Sequence, residues 1–294
     1  MSKELWRLAL NKFVEEVNDK NHFSVRYGVT ETLFTKKSPY QKVEVVQTQG
    51  HGRMLLNDDL VMVTERDEFV YHDMIVHVPL FTHPNPKNVL IIGGGDGGTA
   101  REVLRHSGVE RCDMVEIDEV VVQACKEHFL QTAVGMQPSP RFKLYIEDGV
   151  EFVKKSKIKY DVIIVDSTDP IGPAQPLFGI DFYRSVKECL TNDGIVVSQG
   201  ESPFYNPDTQ LAMAKILSQL FPVLRYYNFT NLTYPGGYWS FSFASQRHHP
   251  TNDFSEGRVA SSGLKFKYYN ADLHRAAFQL PSFQLENIGS FLKD

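Results

Sequence analysis

Val89-Leu-Ile-Ile-Gly-Gly-Gly-Asp-Gly-Gly-Thr-Ala-Arg-Glu102 decides the fold. Four consecutive apolar residues predict a buried parallel strand, the glycines permit a sharp turn with close backbone approach, and Thr99 onward predicts a helix. Asp96 lies inside that turn, where a nucleotide-like ligand is expected. Helix N-termini after such turns often receive phosphate, which an aspartate repels, so a ligand carrying positive charge fits better.

Downstream of the turn, strands are predicted at 112–117, 142–146, 160–165, 194–198, 223–228 and 239–244. Helices are predicted between them at 99–106, 119–129, 150–155, 181–189 and 208–220. This alternation predicts a parallel, doubly wound sheet with helices on both faces. Upstream, Phe69, Val70, Met74, Ile75, His77 and Val78 mark a helix from Asp67 that ends at Pro84-Asn85-Pro86. Before it, β-prone runs at 23–35, 42–48, 53–56 and 60–64 are separated by turn residues and predict a small antiparallel sheet. Leu5, Leu8, Ala9, Lys12, Phe13 and Val17 fall at helical spacing, predicting an amphipathic helix packed on that sheet or on a neighbouring subunit. The expected division is 1–66 as an N-terminal helix and β-hairpin domain and 67–294 as an α/β domain.

The 294 residues carry a net charge of −5, which argues against broad nucleic-acid binding. Cys112, Cys125 and Cys189 lie far apart, without metal-ligand spacing, and suit a reducing compartment. Nothing approaches the roughly 20 apolar residues that cross a bilayer, so a cytoplasmic protein without membrane partners is expected.

Ligands of such sheets lie beyond the carboxyl ends of the strands, near the switch in strand order. Asp96, Glu116 with Asp118, Asp148, and Asp166 with Asp169 follow the first four strands of the α/β region in turn. Aspartates are common helix caps, and Asp118 and Asp181 are read that way. Glu116 follows the glycine turn at about the 20-residue interval of a carboxylate that grips a ribose diol. Gly-Gly-Gly-Asp-Gly-Gly departs from the dinucleotide spacing, so an adenosine group without pyrophosphate is preferred over NAD.

The chain resembles the spermidine synthases, the polyamine aminopropyltransferases. The resemblance rests on Thr64-Glu-Arg-Asp-Glu-Phe-Val-Tyr-His-Asp73, Gly93–Gly98, Val115-Glu-Ile-Asp118, Glu147-Asp-Gly149, Asp166-Ser-Thr-Asp-Pro-Ile-Gly-Pro173, Thr233-Tyr-Pro-Gly236 and Leu264–Leu280. It implies a mostly parallel Rossmann-like sheet of the class I methyltransferase type, with a small N-terminal antiparallel β domain. It also implies transfer of the aminopropyl group of decarboxylated S-adenosylmethionine, a co-substrate, to a diamine, with no cofactor and no metal. Putrescine is the expected acceptor, giving spermidine and 5'-methylthioadenosine, with cadaverine or agmatine as alternatives. An N-methyltransferase using intact S-adenosylmethionine and a noncatalytic polyamine binder are the competing classes.

By resemblance, Asp96 holds the donor's ammonium, Glu116 its ribose hydroxyls, and Asp148 with Gly149 the adenine amino group. Gln41, Gly93 and Gly95 complete the donor site. Asp166 is the proton acceptor, assisted by Tyr71, while His72, Asp166, Asp169 and Tyr234 contact the acceptor. The loop Asp169–Phe178 becomes a lid, and the oligomer a homodimer or homotetramer joined partly through the amino-terminal region. Met62, Asn231-Leu232 and Tyr238-Trp239 depart from the commonest family pattern, which leaves acceptor length open. Glu201 has two readings, a contact to the acceptor's distal ammonium or a surface acid. His248-His249 reads as a solvated turn, His77 and His83 show no evident partner, and Lys154–Lys159 reads as a solvated surface.

Overall fold

The computed structural model describes residues 12–170 and 172–294. Strands β1 (Phe13–Asn18), β2 (Phe23–Lys37), β3 (Lys42–Thr48), β4 (Arg53–Asn57) and β5 (Leu60–Thr64) form an antiparallel sheet in sequential order. The predicted N-terminal helix is corrected where it can be seen. Phe13 to Asn18 pair with Gly28 to Phe23 of β2, and the Asn18 side chain accepts the Asn21 N–H at the connecting turn. Ladder hydrogen bonds with a strand already in place outweigh a spacing that also suits a helix. Leu5, Leu8 and Ala9 lie outside the described residues.

The second sheet has seven strands, β6 (Asn88–Gly93), β7 (Arg111–Glu116), β8 (Phe142–Ile146), β9 (Tyr160–Asp166), β10 (Leu190–Gln199), β11 (Val223–Thr230) and β12 (Tyr238–Ser245). Their order is β11-β12-β10-β9-β6-β7-β8. The strands from β6 to β10 are mutually parallel where they pair, whereas β12 runs antiparallel to both β10 and β11. Period-2 alternation puts Val89 and Ile91 in one core and Leu90 and Ile92 in the other, so helices cover both faces. The helix Glu68–Thr82 is buried nearly all round, Phe69 excepted, and serves as an internal strut.

From β6 the chain proceeds outward through β7 and β8 and then returns to β9 on the other side. Strand order therefore reverses between β6 and β9, where a ligand crevice opens at the carboxyl ends. The small sheet closes over that edge. Tyr27 of β2 donates its hydroxyl to the Thr233 carbonyl at 3.1 Å, and Asp67 accepts the Leu232 and Thr233 N–H groups at 2.9 and 3.1 Å. No helix among the described residues is long and apolar enough to cross a membrane.

Candidate active site

A cavity of about 560 Å³ lies between the two sheets. Glu16, Gln41 and Met62 of the small sheet form one wall, and the strand ends of the large sheet form the other. Every residue assigned from sequence to donor, acceptor or catalysis reaches this cavity. Gln41, Gly93, Gly95, Asp96, Glu116, Asp148 and Gly149 line one region, and Tyr71, His72, Asp166, Asp169 and Tyr234 the remainder.

The glycine turn is shaped by what it must avoid. Gly93 has φ +86°, and a Cβ there would lie 2.1 Å from the Asp166 carbonyl oxygen. A Cβ on Gly95 would meet Glu116 Oε2 at 2.9 Å. Asp96 is fixed by the Gly98 N–H, which donates to Oδ1 at 2.7 Å. Glu116 accepts the Asp118 N–H at 2.8 Å, and burial, reinforced by Asp118 and Asp166, pushes its carboxyl up to about 7. Asp118 caps the helix Glu119–His128 through the Val120 N–H at 3.0 Å, as expected. Its other oxygen accepts Gln41 Nε2 at 3.0 Å and the Ser38 hydroxyl at 2.7 Å, so the cap also places Gln41. Asp148 caps the helix Gly149–Lys155 through the Val150 N–H at 2.7 Å.

Asp166 Oδ2 accepts the Thr99 hydroxyl at 2.6 Å. Burial and the neighbouring Asp96 raise its carboxyl above the usual range, while His72, Thr99 and Tyr71 pull the other way. Tyr71 is buried, and its phenol is held well above its ordinary value by burial and by Asp166, so it is a proton donor toward that carboxylate. Its ring stands edge-on to Phe241 at 5.0 Å and to Tyr234 at 5.9 Å. Tyr234 is tied across the cavity to the small sheet, donating to the Met62 carbonyl at 3.1 Å. His72 lies between Glu68 and Asp96, with 2.6 Å from Nδ1 to Glu68 Oε2 and 3.3 Å from Nε2 to Asp96 Oδ1.

Two cavity residues, Glu16 and Gln199, escape sequence reasoning. Glu16 is buried on β1, accepts the Val61 N–H at 3.2 Å, and is pushed up to about 7 by burial and Asp169. It was hidden by the helical reading of its segment. Gln199 donates to Asp169 Oδ1 at 3.2 Å and to Glu201 Oε1 at 3.1 Å. Trp239, one of the departures from the family pattern, lines the cavity. Of the two readings of Glu201, the surface acid is excluded. It is 1% exposed, has φ +66°, and is pushed up to about 8 by burial and Asp169. It stands behind Gln199 rather than on the cavity wall.

Other readings are also revised. Asp181 makes no cap and pairs with Arg184 at 2.8 Å; Gly179 precedes that helix. His77 has partners after all, with Nε2 3.0 Å from Glu102 and Nδ1 2.9 Å from His106. His248 lies in a turn but is buried, 3.7 Å from Asp193, which also stands 3.8 Å from His83 Nε2. The Asn85 N–H donates to His83 Nδ1, which places that ring's proton on Nε2 and leaves no lone pair there for a cation. Lys154 is exposed and pairs with Glu151, as a solvated surface predicts.

Residues 68–256 match the spermine/spermidine synthase domain, and residues 13–65 match the spermidine synthase tetramerisation domain. A polyamine aminopropyltransferase of Clostridium perfringens is 47% identical over 290 residues, covering 97% of this chain and 99% of the relative. One of Alkaliphilus metalliredigens is 46% identical over 287 residues, covering 97% and 98%. Among solved structures, a spermidine synthase in complex with the transition state analogue AdoDATO superposes with a TM-score of 0.93 at 38% identity, covering 95% of this chain and 96% of that one. Spermidine synthase from Thermotoga maritima gives 0.91 at 38% identity, with 95% of each chain covered. The mostly parallel sheet, the capping antiparallel sheet, and these matches along nearly the whole length establish that the chain belongs to the spermidine synthase family, as an enzyme of the polyamine aminopropyltransferase type.

Proposed function

We propose that the enzyme transfers the aminopropyl group of decarboxylated S-adenosylmethionine to putrescine, giving spermidine and 5'-methylthioadenosine. The observation that carries this reading is the convergence of Asp96 and Asp166 at the strand-order switch, with Asp169, Glu16 and Glu201 beyond them. Burial raises Asp166, Asp169 and Glu16 on the cavity wall and Glu201 behind it, which marks a cavity short of positive charge. A sulfonium bearing an ammonium and a diamine supply it.

In this reading Glu116 accepts the ribose hydroxyls, Gln41 contacts the nucleoside, and Asp148 with Gly149 receives the adenine amino group. Gly93 and Gly95 let the donor approach the backbone. Asp96 holds the donor's ammonium and disfavours intact S-adenosylmethionine, whose carboxylate would enter an acidic site. His72, Asp169 and Tyr234 border the acceptor, and Gln199 links Glu201 to its distal end.

An alkylamine with a pKa of about 10.4 is protonated near neutrality and has no lone pair for attack. Asp166, with Tyr71 orienting the nitrogen, takes that proton as the lone pair forms a bond to the methylene beside sulfonium. The carbon–sulfur bond breaks, its electron pair stays on sulfur, and neutral 5'-methylthioadenosine leaves. Positioning of both substrates supplies much of the rate. The Asp169–Phe178 segment acts as a lid that excludes water. The division into 1–66 and 67–294 gives an assembly region and a catalytic region, and the matched tetramerisation domain supports a homo-oligomer.

The test is incubation of decarboxylated or intact S-adenosylmethionine with putrescine, cadaverine, agmatine or spermidine, followed by mass measurement of products. An aminopropyl increment on putrescine above the other amines is expected. A methyl increment from the intact donor would sink the reading. Absence of any product would favour a binder.

A further inference from the structure

Both ring nitrogens of His72 face carboxylate oxygens, Nδ1 that of Glu68 at 2.6 Å and Nε2 that of Asp96 at 3.3 Å. A neutral imidazole has one N–H and one lone pair, and that lone pair would be aimed at an acceptor. With both carboxylates ionised, only the doubly protonated ring satisfies both contacts. The ring is 2% exposed, and a Cβ on Gly98 would fall 2.2 Å from its Cε1, so glycine at 98 makes the room it occupies.

Glu68 is itself clamped. Arg101 donates through Nη1 to Oε1 at 3.0 Å and through Nη2 to Oε2 at 2.8 Å, a two-pronged pairing that fixes the carboxylate plane. Arg101 is held in turn by Glu102 Oε1 at 2.8 Å and the Gln131 carbonyl at 3.0 Å. Because Arg101 rides on the helix that begins at the glycine turn, the clamp joins that turn to the helix carrying Tyr71 and His72.

We propose that Glu68, clamped by Arg101, is a positioning residue that holds His72 as an imidazolium with Nε2–H aimed at Asp96, and that this buried cation keeps Asp96 and Asp166 ionised before substrates arrive. The inference rests on the roles given above to those two acids. The groups facing His72 are Glu68 on its own helix, Asp96 from the glycine turn and Asp166 from the end of β9. Arg101 stands behind Glu68, and the Tyr71 ring lies edge-on at 5.6 Å. His72, Asp96 and Asp166 each place a polar atom within 4.8 Å of the others. Without a cation between them, two carboxylates this close would share a proton, and a protonated Asp166 accepts nothing from an amine. Burial opposes charge on His72, yet Asp96 and Glu68 outweigh it and hold the ring well above its ordinary value. Glu68 is correspondingly held down at about 2, His72 and Arg101 outweighing its burial.

The direct measurement is ¹⁵N NMR of histidine-labelled protein from pH 6 to 9, with His72 assigned by substitution. The ring is expected to stay doubly protonated to pH 9; a His72 that deprotonates between pH 6 and 8 overturns the proposal. Glu68→Gln is expected to bring the His72 titration below the acid limb of kcat/KM, so that the ring is neutral where Asp166 takes up its proton. The acid limb of kcat/KM should then rise by about one pH unit, a roughly tenfold loss on that limb that vanishes at high pH. Glu68→Asp, which keeps the charge, should restore the limb. A loss equal at every pH, with the limb unmoved, would reduce Glu68 to a structural part and overturn the proposal. Should Glu68→Gln fail to fold, the wild-type titration still decides. The NMR result is independent of the group transferred, so failure of the aminopropyl reading would leave it standing.

Discussion

In the proposed mechanism turnover depends most directly on Asp166, which combines contact with Tyr71 and Thr99 with a place at the end of β9. Asp166→Asn should lower kcat by about 10²–10⁴-fold, the usual worth of a positioned base. Donor affinity, measured by calorimetry, should change little. Glu116 sets a pH dependence of a different kind. Burial pushes it up to about 7, above the ordinary carboxylate range, so the group is protonated below that pH and ionised above it. Hydroxyl donors favour the ionised form, and donor binding should therefore release a proton and weaken as pH falls from 8 to 6. Calorimetry in buffers of different ionisation enthalpy reads this directly, and a buffer-independent heat would remove Glu116 from the diol. Most of these acids could be picked out in the chain because each ends a recognisable strand. Glu201 could not be placed, since its burial depends on Gln199 and Asn206 donating to its carboxylate from either side of it in the chain.

Among the elements, the helix Glu68–Thr82 organises the site, carrying Glu68, Tyr71 and His72 toward the cavity and Asp73 away from it. Asp73 Oδ2 accepts three successive backbone N–H groups, from Lys267, Tyr268 and Tyr269, at 3.1, 2.8 and 3.1 Å. Asp73→Ala would leave three donors short of a partner, at a cost of about 3 kcal/mol. For a chain of this size that lowers Tm by roughly 6–12 °C, with faster proteolysis near 262–270 as the local sign. Elements of the large sheet were legible because alternating runs, glycines and prolines punctuate them within a few residues of their ends. β1 was not. Phe13 and Val17 suit one face of a helix, and only the distant ladder to residues 23–28 reveals the strand.

Across the whole molecule, Phe13 and Val17 remain 50% and 53% exposed on an edge strand, within the region matched by the tetramerisation domain. Among the described residues that edge has no further strand beside it, and an edge carrying apolar side chains suits association. Val17→Asp should shift sedimentation toward smaller species, and an unchanged distribution would place the contact elsewhere. The fold class follows from local pattern, but the assembly of the cavity does not, because Glu16 and Gln41 meet Asp166 only when two sheets dock. That docking has a consequence for refolding. Contacts such as Tyr27 to Thr233 and Tyr234 to Met62 close loops of more than 150 residues, and such closures form slowly. Each sheet can gain its own secondary structure first, so after dilution from denaturant, circular dichroism should recover ahead of the capacity to bind nucleoside. The interval between the two signals would time the docking step itself.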